Sequence, residues 1–520
     1  MSSQALPVDS PGSQVQVMPG AVQVTRGASY LIIQVLANNV VSLTAFAVLA
    51  RLITPGEMGI MAVLLLVGGI CQTFASFAIP QATTKFIAEQ ISQGRKNAAA
   101  SVFYQAFRVT LLLAVVAGVT IFLSSGFLAS RLLGESSYTI LFQVASLDIV
   151  VIAGLLPVLG GTMYGLQKFK ETAIVGLVTQ TLLGQGLIIG LIILLRSLVG
   201  LVLGWLLSDT VTALTYFIYI LRVFGRPKFD FELRRLVRFS APLSIGTVAN
   251  FAQSWFDRTL LVLFVPLATL GIYNATIVSF GVLGSISGAM ATPLFSAYST
   301  IQAANQKGLR TQSVRLASRY VNFVLIPLSF GLMAIAKPLL TLFLGNEYIS
   351  GTDPFIILSA TFAFTVFAAT ALSPMLLALE ETRIVAAITI VSVLISLGAA
   401  VLLIPAYGML GAATARGASM IAIAILTIRV LSRKMKLEID LEATAKSLIA
   451  SSAMAAVLVI VQLLVYSRLL LPFYALTGVI IYVAMLRVLG AVRPHDIELI
   501  RSYLGFRLGF VADILGRILL

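Results

Sequence analysis

Apolar stretches of about 20 residues, each long enough to cross a bilayer as a helix, recur along this whole sequence with short polar turns between them. They run over 28–50, 58–79, 102–124, 139–164, 172–195, 199–222, 237–260, 268–292, 320–344, 354–378, 384–404, 409–431, 446–467 and 469–490. Such a chain is left with a bundle of helices in lipid, because in hydrocarbon each segment has to satisfy its own backbone N–H and C=O groups. Composition closes the alternative. Of 520 residues, 59% are hydrophobic and 11% charged, with a mean hydropathy of +1.02, whereas a soluble domain carries roughly 25% charged residues. The sequence predicts an all-α polytopic membrane protein of fourteen spans.

The spans repeat in order. LARLITPGEMGIMAVLL (49–65) returns as LFVPLATLGIYNATIV (263–278): an apolar end, a Pro-containing turn, a Gly followed by Ile, and a new apolar start. IPQATTKFIAEQISQGRKNAA (79–99) returns as MATPLFSAYSTIQAANQKGLR (290–310), and FLASRLLGESSY (127–138) as PLLTLFLGNEYI (338–349). KETA (170–173) pairs with EETR (380–383), and LVGLVLGW (198–205) with AYGMLGAA (406–413). Ordered matches at one spacing mark an internal duplication, which decides the architecture before any local detail. Two pseudo-symmetric six-helix lobes are expected, 26–222 and 237–431. A basic cytoplasmic linker (223–236) joins them, two further spans occupy 446–490, a disordered tail precedes them (1–25) and a basic amphipathic tail comes last (491–520).

Lys and Arg are unevenly placed. One side carries Arg26, Lys85, Arg95, Lys96, Arg108, Lys168, Lys170, the run from Arg222 to Arg238, Lys307, Arg310, Arg315, Arg319, Arg383, the run from Arg429 to Lys446, and the C-terminal arginines. The other side keeps Arg51, Arg131, Arg196, Arg258, Lys337 and Arg468. Cationic loops stay in the cytoplasm, so both termini are expected there. The same bias accounts for the net charge of +15 through topology and contact with anionic phospholipids rather than nucleic acid. A single cysteine, Cys71, inside a span excludes an intramolecular disulfide, and the lone His495 leaves no metal site or catalytic triad to assemble.

Function then rests on ionisable residues within spans, because a charge at mid-bilayer costs about 2.5–3.5 kcal/mol and needs a cavity or a partner. The candidates are Arg51, Glu57, Arg108, Asp148, Asp209, the pair Asp257 and Arg258, and Arg416. Arg51 and Arg258 either snorkel to an interface or present two planar forks to a phosphate across a central cavity. Adjacent residues diverge by about 100° on a helix, so one of Asp257 and Arg258 faces the cavity while the other ties its helix to a neighbour. Asp148 and Asp209 form either a proton or cation site or charge partners within their lobe, and Arg416, amid small residues, is expected to pair with an aspartate. Asn38, Asn39, Gln72 and Gln253, with Gln34, Gln180 and Gln185, would make a lumen polar.

ARLITPGEMGIMAVL after the first span, DRTLLVLFVPLATLGIYNAT across spans seven and eight, and two six-span repeats plus two spans together resemble the Wzx-type polysaccharide flippases. These are a branch of the multidrug, oligosaccharidyl-lipid and polysaccharide exporter superfamily, and the likeness covers nearly the whole chain apart from its tails. It implies a MATE-like fold with a cavity between two lobes and alternating access. The implied activity is movement of an oligosaccharide linked to polyprenyl or dolichyl phosphate or pyrophosphate from the inner to the outer leaflet, with no cofactor beyond a coupling ion, H+ or Na+. It places Arg51, Lys85, Asp257 and Arg258 nearest the headgroup path. The interior of span one carries no charge, which departs from the deep cationic site of lipid-linked peptidoglycan precursor flippases.

Two other functions fit the composition: an ion-coupled drug or metabolite exporter of the same superfamily, which calls for cavity carboxylates, and a non-transporting scaffold for glycan-assembly enzymes. An integral-membrane glycosyltransferase would need a large polar loop with catalytic acids, and the loops near 125–138 and 345–353 are too short. The absence of GxxxxGK[ST] argues against ATP hydrolysis. One chain holds both lobes, so a monomer suffices.

Overall fold

The computed structural model describes residues 19–225, 233–305 and 307–494. The N-terminal tail to residue 18, most of the basic linker (226–232) and the amphipathic tail from His495 lie outside the described residues. Everything described is helix or turn. Helix α1 (Pro19–Leu52) starts earlier than apolarity suggested, so residues 19–25 are helical rather than tail; proline fits the first turn, whose N–H groups have no partner in any case. The ITPGE motif then becomes the start of α2 (Pro55–Ser76). Thr54 accepts from the Glu57 N–H at 3.3 Å while Glu57 Oε2 accepts from the Thr54 N–H at 2.8 Å, a reciprocal cap that uses Glu57 structurally. Phe77 and Ala78, both left-handed (φ 45° and 52°), separate α2 from α3 (Ile79–Ser92).

Four helices complete the first repeat: α4 (Lys96–Leu133), α5 (Ser136–Gly165), α6 (Phe169–Leu195) and α7 (Val199–Phe224). The second consists of α8 (Leu233–Phe264), α9 (Leu267–Ala303), α10 (Lys307–Ala334), the short α11 (Ala336–Phe343), α12 (Asn346–Ala378) and α13 (Thr382–Lys434). A hairpin of α14 (Leu441–Leu464) and α15 (Arg468–Val488) comes after it. Eleven of these helices are long and apolar enough to cross a membrane, and the chain is a multi-pass membrane protein. Helix α13 is continuous through 53 residues except at Gly408 (φ 53°, ψ −126°), three residues after Pro405. At 1.5 Å per residue it would reach about 80 Å unbroken. The duplication survives in the helix starts. Pro55 and Leu267, Lys96 and Lys307, Ser136 and Asn346, and Phe169 and Thr382 stand 210 to 213 residues apart, and π-helical turns interrupt both α5 (Val150–Leu155) and α12 (Ala368–Leu372).

The shared Gly-Ile motif explains how the repeats meet. Helix α2 lies along α9, and each glycine faces the first turn of the other helix: a Cβ at Gly59 would stand 2.0 Å from the Leu267 carbonyl oxygen, and one at Gly271 2.0 Å from that of Pro55. Without apolar contrast to lipid, transmembrane helices gain from such backbone approach. Around this crossing one apolar core joins both repeats, drawing Met58, Ile60 and Val63 together with Phe256, Leu270 and Tyr273. At the opposite, basic end the core divides. One cluster belongs to the first repeat (Phe86, Phe103, Tyr216) and another to the second (Tyr298, Val321, Leu372), while the terminal hairpin packs along α10 in a cluster of its own that reaches Ile335 at the other end.

Helix α8 belongs to both repeats. Its first turns pack in the first repeat's cluster through Leu236 and Phe239, with Phe239 edge-on to Phe86 at 5.4 Å and Arg235 bound to Glu89 at 3.0 Å. Its far end, Phe256 and Leu261, lies in the shared core, and Pro242 stands between. At the basic end Arg319 of α10 donates to Asp440, just before α14, at 3.2 Å and to the Ala491 carbonyl at 2.8 Å, which fixes the terminal hairpin to the second repeat.

Gly271→Val should therefore destabilise the protein by about 1–3 kcal/mol, the usual penalty for overpacking, and lower the thermal melting temperature in detergent. Gly288→Val, on the same helix with nothing within 4 Å of its Cβ position, should leave it nearly unchanged.

Candidate functional site

Between the repeats lies a cavity of ≈1080 Å³ whose walls come from α1 (Asn39, Ser42), α2, α6 (Gln185), α7 (Trp205), α8 (Trp255, Arg258) and α9 (Asn274). A second pocket of ≈290 Å³ adjoins it and shares Leu65, Trp205 and Trp255 as a wall; Gln72, Asp148 and Asp209 line its far side.

Arg258 is the guanidinium at the main cavity, 9% exposed. Its Nη1 donates to Asn274 Oδ1 at 3.0 Å and its Nη2 to the Ser254 carbonyl at 2.8 Å, while the group lies 3.7 Å over the Trp255 ring. Its Nε has no hydrogen-bond partner. Asp257 is fully buried, with its Oδ1 3.9 Å from the Arg258 Nε. Its Oδ2 accepts from Arg416 Nε and from the Tyr273 hydroxyl, both at 2.6 Å, and its Oδ1 from Arg416 Nη2 at 3.0 Å and the Arg258 N–H at 2.8 Å. The Asp257–Arg416 pair locks α8 to α13, bidentately. Arg416 Nη2 also reaches the Ser254 carbonyl at 2.8 Å, so one carbonyl holds both guanidinium groups.

The other sequence candidates are dispersed. Arg51 is exposed and donates to the Leu342 and Phe343 carbonyls at the end of α11, a cation on the negative end of a helix. It lines a separate pocket with Asn346, Tyr348 and Arg468. Lys85 is exposed at the basic end, 4.0 Å over the Phe239 ring. Neither lines the main cavity, so no pair of guanidiniums from the two repeats meets there. Asn38 accepts from Thr181 at 2.7 Å, and its neighbour Asn39 reaches the cavity. Gln72 donates to the Ile152 carbonyl at 3.1 Å. Gln253 bonds Ser419 and Ser392 of α13 and does not line the cavity. Asp148 and Asp209 stand in the adjoining pocket, and no ion pair joins either to a base among the described residues. The charge-partner reading therefore fits Asp257 and Arg416 and finds no arginine for the other two.

Sequence reasoning missed Tyr273, Asn274, Trp205 and Trp255. The first two lie in the GIYNAT stretch that marked the repeat, and the tryptophans are the only two in the chain; their rarity was the available signal.

The architecture is that of known membrane transporters. The lipid II flippase MurJ in an inward closed conformation superposes with a TM-score of 0.68 over 90% of this chain and 98% of its own, at 14% identity. A multidrug resistance MATE family transporter of the MOP superfamily, inward-facing, gives 0.59 over 77% and 94%, at 17% identity. The family described as "Polysaccharide biosynthesis protein" matches residues 48–353, more than half of the chain, and the chain belongs to it. Among named relatives, the succinoglycan biosynthesis transport protein ExoT of Rhizobium meliloti is 24% identical over 342 residues, 63% of this chain; the match spans 64% of that protein, just under two thirds. A probable low-salt glycan biosynthesis flippase of Haloferax volcanii is 23% identical over 79% of this chain and 84% of its own length.

Removing the Asp257 carboxylate leaves two buried guanidiniums without their counter-charge. Asp257→Ala should destabilise by about 3–5 kcal/mol, as breaking a buried pair does, and more than Arg416→Ala. In a double-mutant cycle by thermal unfolding the two should fall short of additivity by about 0.5–3 kcal/mol.

Proposed function

We propose that this chain flips a polyprenyl- or dolichyl-(pyro)phosphate-linked oligosaccharide from the inner to the outer leaflet by alternating access, for cell-surface polysaccharide or glycan assembly, and is a transporter rather than an enzyme. The observation that carries this reading is Arg258, a permanently charged fork on the wall of a cavity of ≈1080 Å³ between two repeats. The cavity takes the headgroup phosphate and first sugars, with Asn39, Gln185 and Asn274 as polar contacts, while the isoprenoid tail stays in lipid. An apolar groove of ≈430 Å³ between α10 and the α14–α15 hairpin shares Val324 with the cavity and gives that tail a surface. The names of the two relatives point the same way.

Counting α1 and α8 as crossings, and dividing α13 at Gly408, brings the eleven apolar helices to fourteen. The basic end faces the cytoplasm, with both termini, in the cell's cytoplasmic membrane. The shared core at the α2–α9 crossing is the outward seal and the divided core is the inward mouth. Arg51 acts in the seal rather than on the headgroup, and Lys85 at the mouth meets the anion first. The pocket with Asp148 and Asp209 favours the other reading, an ion-coupled exporter of organic cations.

Proteoliposomes containing a fluorescent polyprenyl-pyrophosphate oligosaccharide separate the two. The wild type should move the lipid. Arg258→Ala should slow it about tenfold or more, the loss of one charge-assisted hydrogen bond, with Arg258→Lys intermediate and Arg51→Ala unchanged in headgroup affinity. Export of an organic cation with no lipid movement would reject the flippase reading, and no movement of either would favour a scaffold.

A further inference from the structure

The smaller pocket contains two carboxylates that the headgroup site does not use. Asp148 of α5 and Asp209 of α7 are each 7% exposed and line it together. Asp257, equally deep, has Arg416; these two have no base in an ion pair among the described residues. Asp209 Oδ1 accepts a long bond, 3.4 Å, from Gln180 Nε2, and Asp148 Oδ1 accepts none. The backbone is irregular beside Asp148 and around Gln180, the partner of Asp209. A π-helical turn begins at Val150, two residues after Asp148, and another spans Gly176–Leu183 around Gln180; such turns collect at functional sites.

Two carboxylates buried in one pocket, in a medium of low dielectric, need a counter-charge or a proton. The surroundings serve a metal ion poorly. Gln180 and Gln72 each turn the amide N–H rather than the carbonyl to an acceptor, and no group of three or more His, Cys, Asp or Glu occurs among the described residues. A proton needs no coordination shell, since the O–H of one carboxyl bonds the other. We propose that Asp148 and Asp209 form a proton-binding site in the first repeat, holding one exchangeable proton between them.

The other titratable or charged groups in the middle of the helices around it are Cys71 of α2, Arg108 of α4, Tyr164 toward the end of α5, Tyr216 of α7, its hydroxyl on the Thr172 carbonyl, and Asp257 and Arg258 of α8, Arg258 beyond Trp255. The wall between this site and the main cavity is Leu65, Trp205 and Trp255. An anion on Arg258 repels the ionised pair through that wall and so favours its protonation. This linkage, unlike the site itself, rests on the flippase reading.

The chain's two tryptophans both stand in the wall, so its intrinsic emission reports on this place alone. The full chain in nanodiscs is titrated from about pH 4 to 9, a range that leaves arginine charged. The wild type should show a single-proton step. Asp148→Asn and Asp209→Asn should each abolish it or move it by more than about one pH unit, a tenfold change in proton affinity; Asp148→Glu should restore a step, and Cys71→Ser should leave it alone. A flat wild-type titration, a step that survives both Asn variants unmoved, or a response to Na+ at fixed pH in place of one to protons would overturn the proposal. Added inorganic pyrophosphate should shift the step to higher pH. A step that pyrophosphate fails to move leaves the proton site standing and counts against the anion cavity.

Discussion

A carboxylate inside a membrane helix has to be neutralised where it stands, and around Asp257 that neutralisation also involves its neighbour. Arg416 takes both carboxylate oxygens and Tyr273 one of them, and the next residue, Arg258, stands on the cavity wall with its Nε 3.9 Å from the same carboxylate and its own supports from Asn274, Ser254 and Trp255. One buried carboxylate thus serves two guanidiniums, Arg416 through two hydrogen bonds and Arg258 across 3.9 Å. Buried ion pairs seldom add stability over apolar packing. Here the hydrogen-bonded pair ties α8 to α13, and the second guanidinium remains on the cavity wall.

The two ends of the molecule are built on different physics. At one, paired glycines bring α2 and α9 to backbone contact and a single apolar core spans the repeats. Such a seal is short-ranged and nearly all-or-none: it closes fully or loses its contacts within about an ångström. At the other, the cores are separate, and the helices are bridged by one exposed ion pair, Arg235 with Glu89, and by aromatic contacts around Phe239. These tolerate displacement and are screened by water and salt. A tight end and a loose end suit a molecule whose resting state is closed on one side.

Much of the architecture was legible because it is periodic. Apolar length announced an all-helical membrane chain, eleven of whose described helices are long enough to cross, and the repeated Pro-containing turn before spans from 58 and 268 reappears as helix starts at Pro55 and Leu267. Boundaries were less readable where the chain breaks without a polar turn. Phe77 and Ala78 adopt left-handed conformations inside an apolar run, and Gly408 interrupts a helix that is otherwise continuous. The site was half legible. That Asp257 and Arg258 diverge on their helix is a consequence of helix geometry alone, and Arg416 stood out as a charge amid small residues. Which carboxylate it would take, and that Asp148 and Asp209 would share a pocket without it, depends on how α5, α7 and α13 are rotated in the bundle, and rotation has no linear signature. Arg51 stands just past Leu49, the last residue of α1 on the cavity, and its guanidinium is taken by the Leu342 and Phe343 carbonyls of α11, a partner no linear signal announces.

Helix α8 has one further consequence. The repeats are usually pictured as two bodies joined by a string, yet here the joint is itself a member of both: Leu236 and Phe239 are anchored in one body and Phe256 and Leu261 in the other, with Pro242 interrupting the ladder between. Two bodies that share a rigid member behave as a crank rather than a clapper. A displacement of one against the other would load α8, and its weakest point is the turn where Pro242 has removed a single N–H.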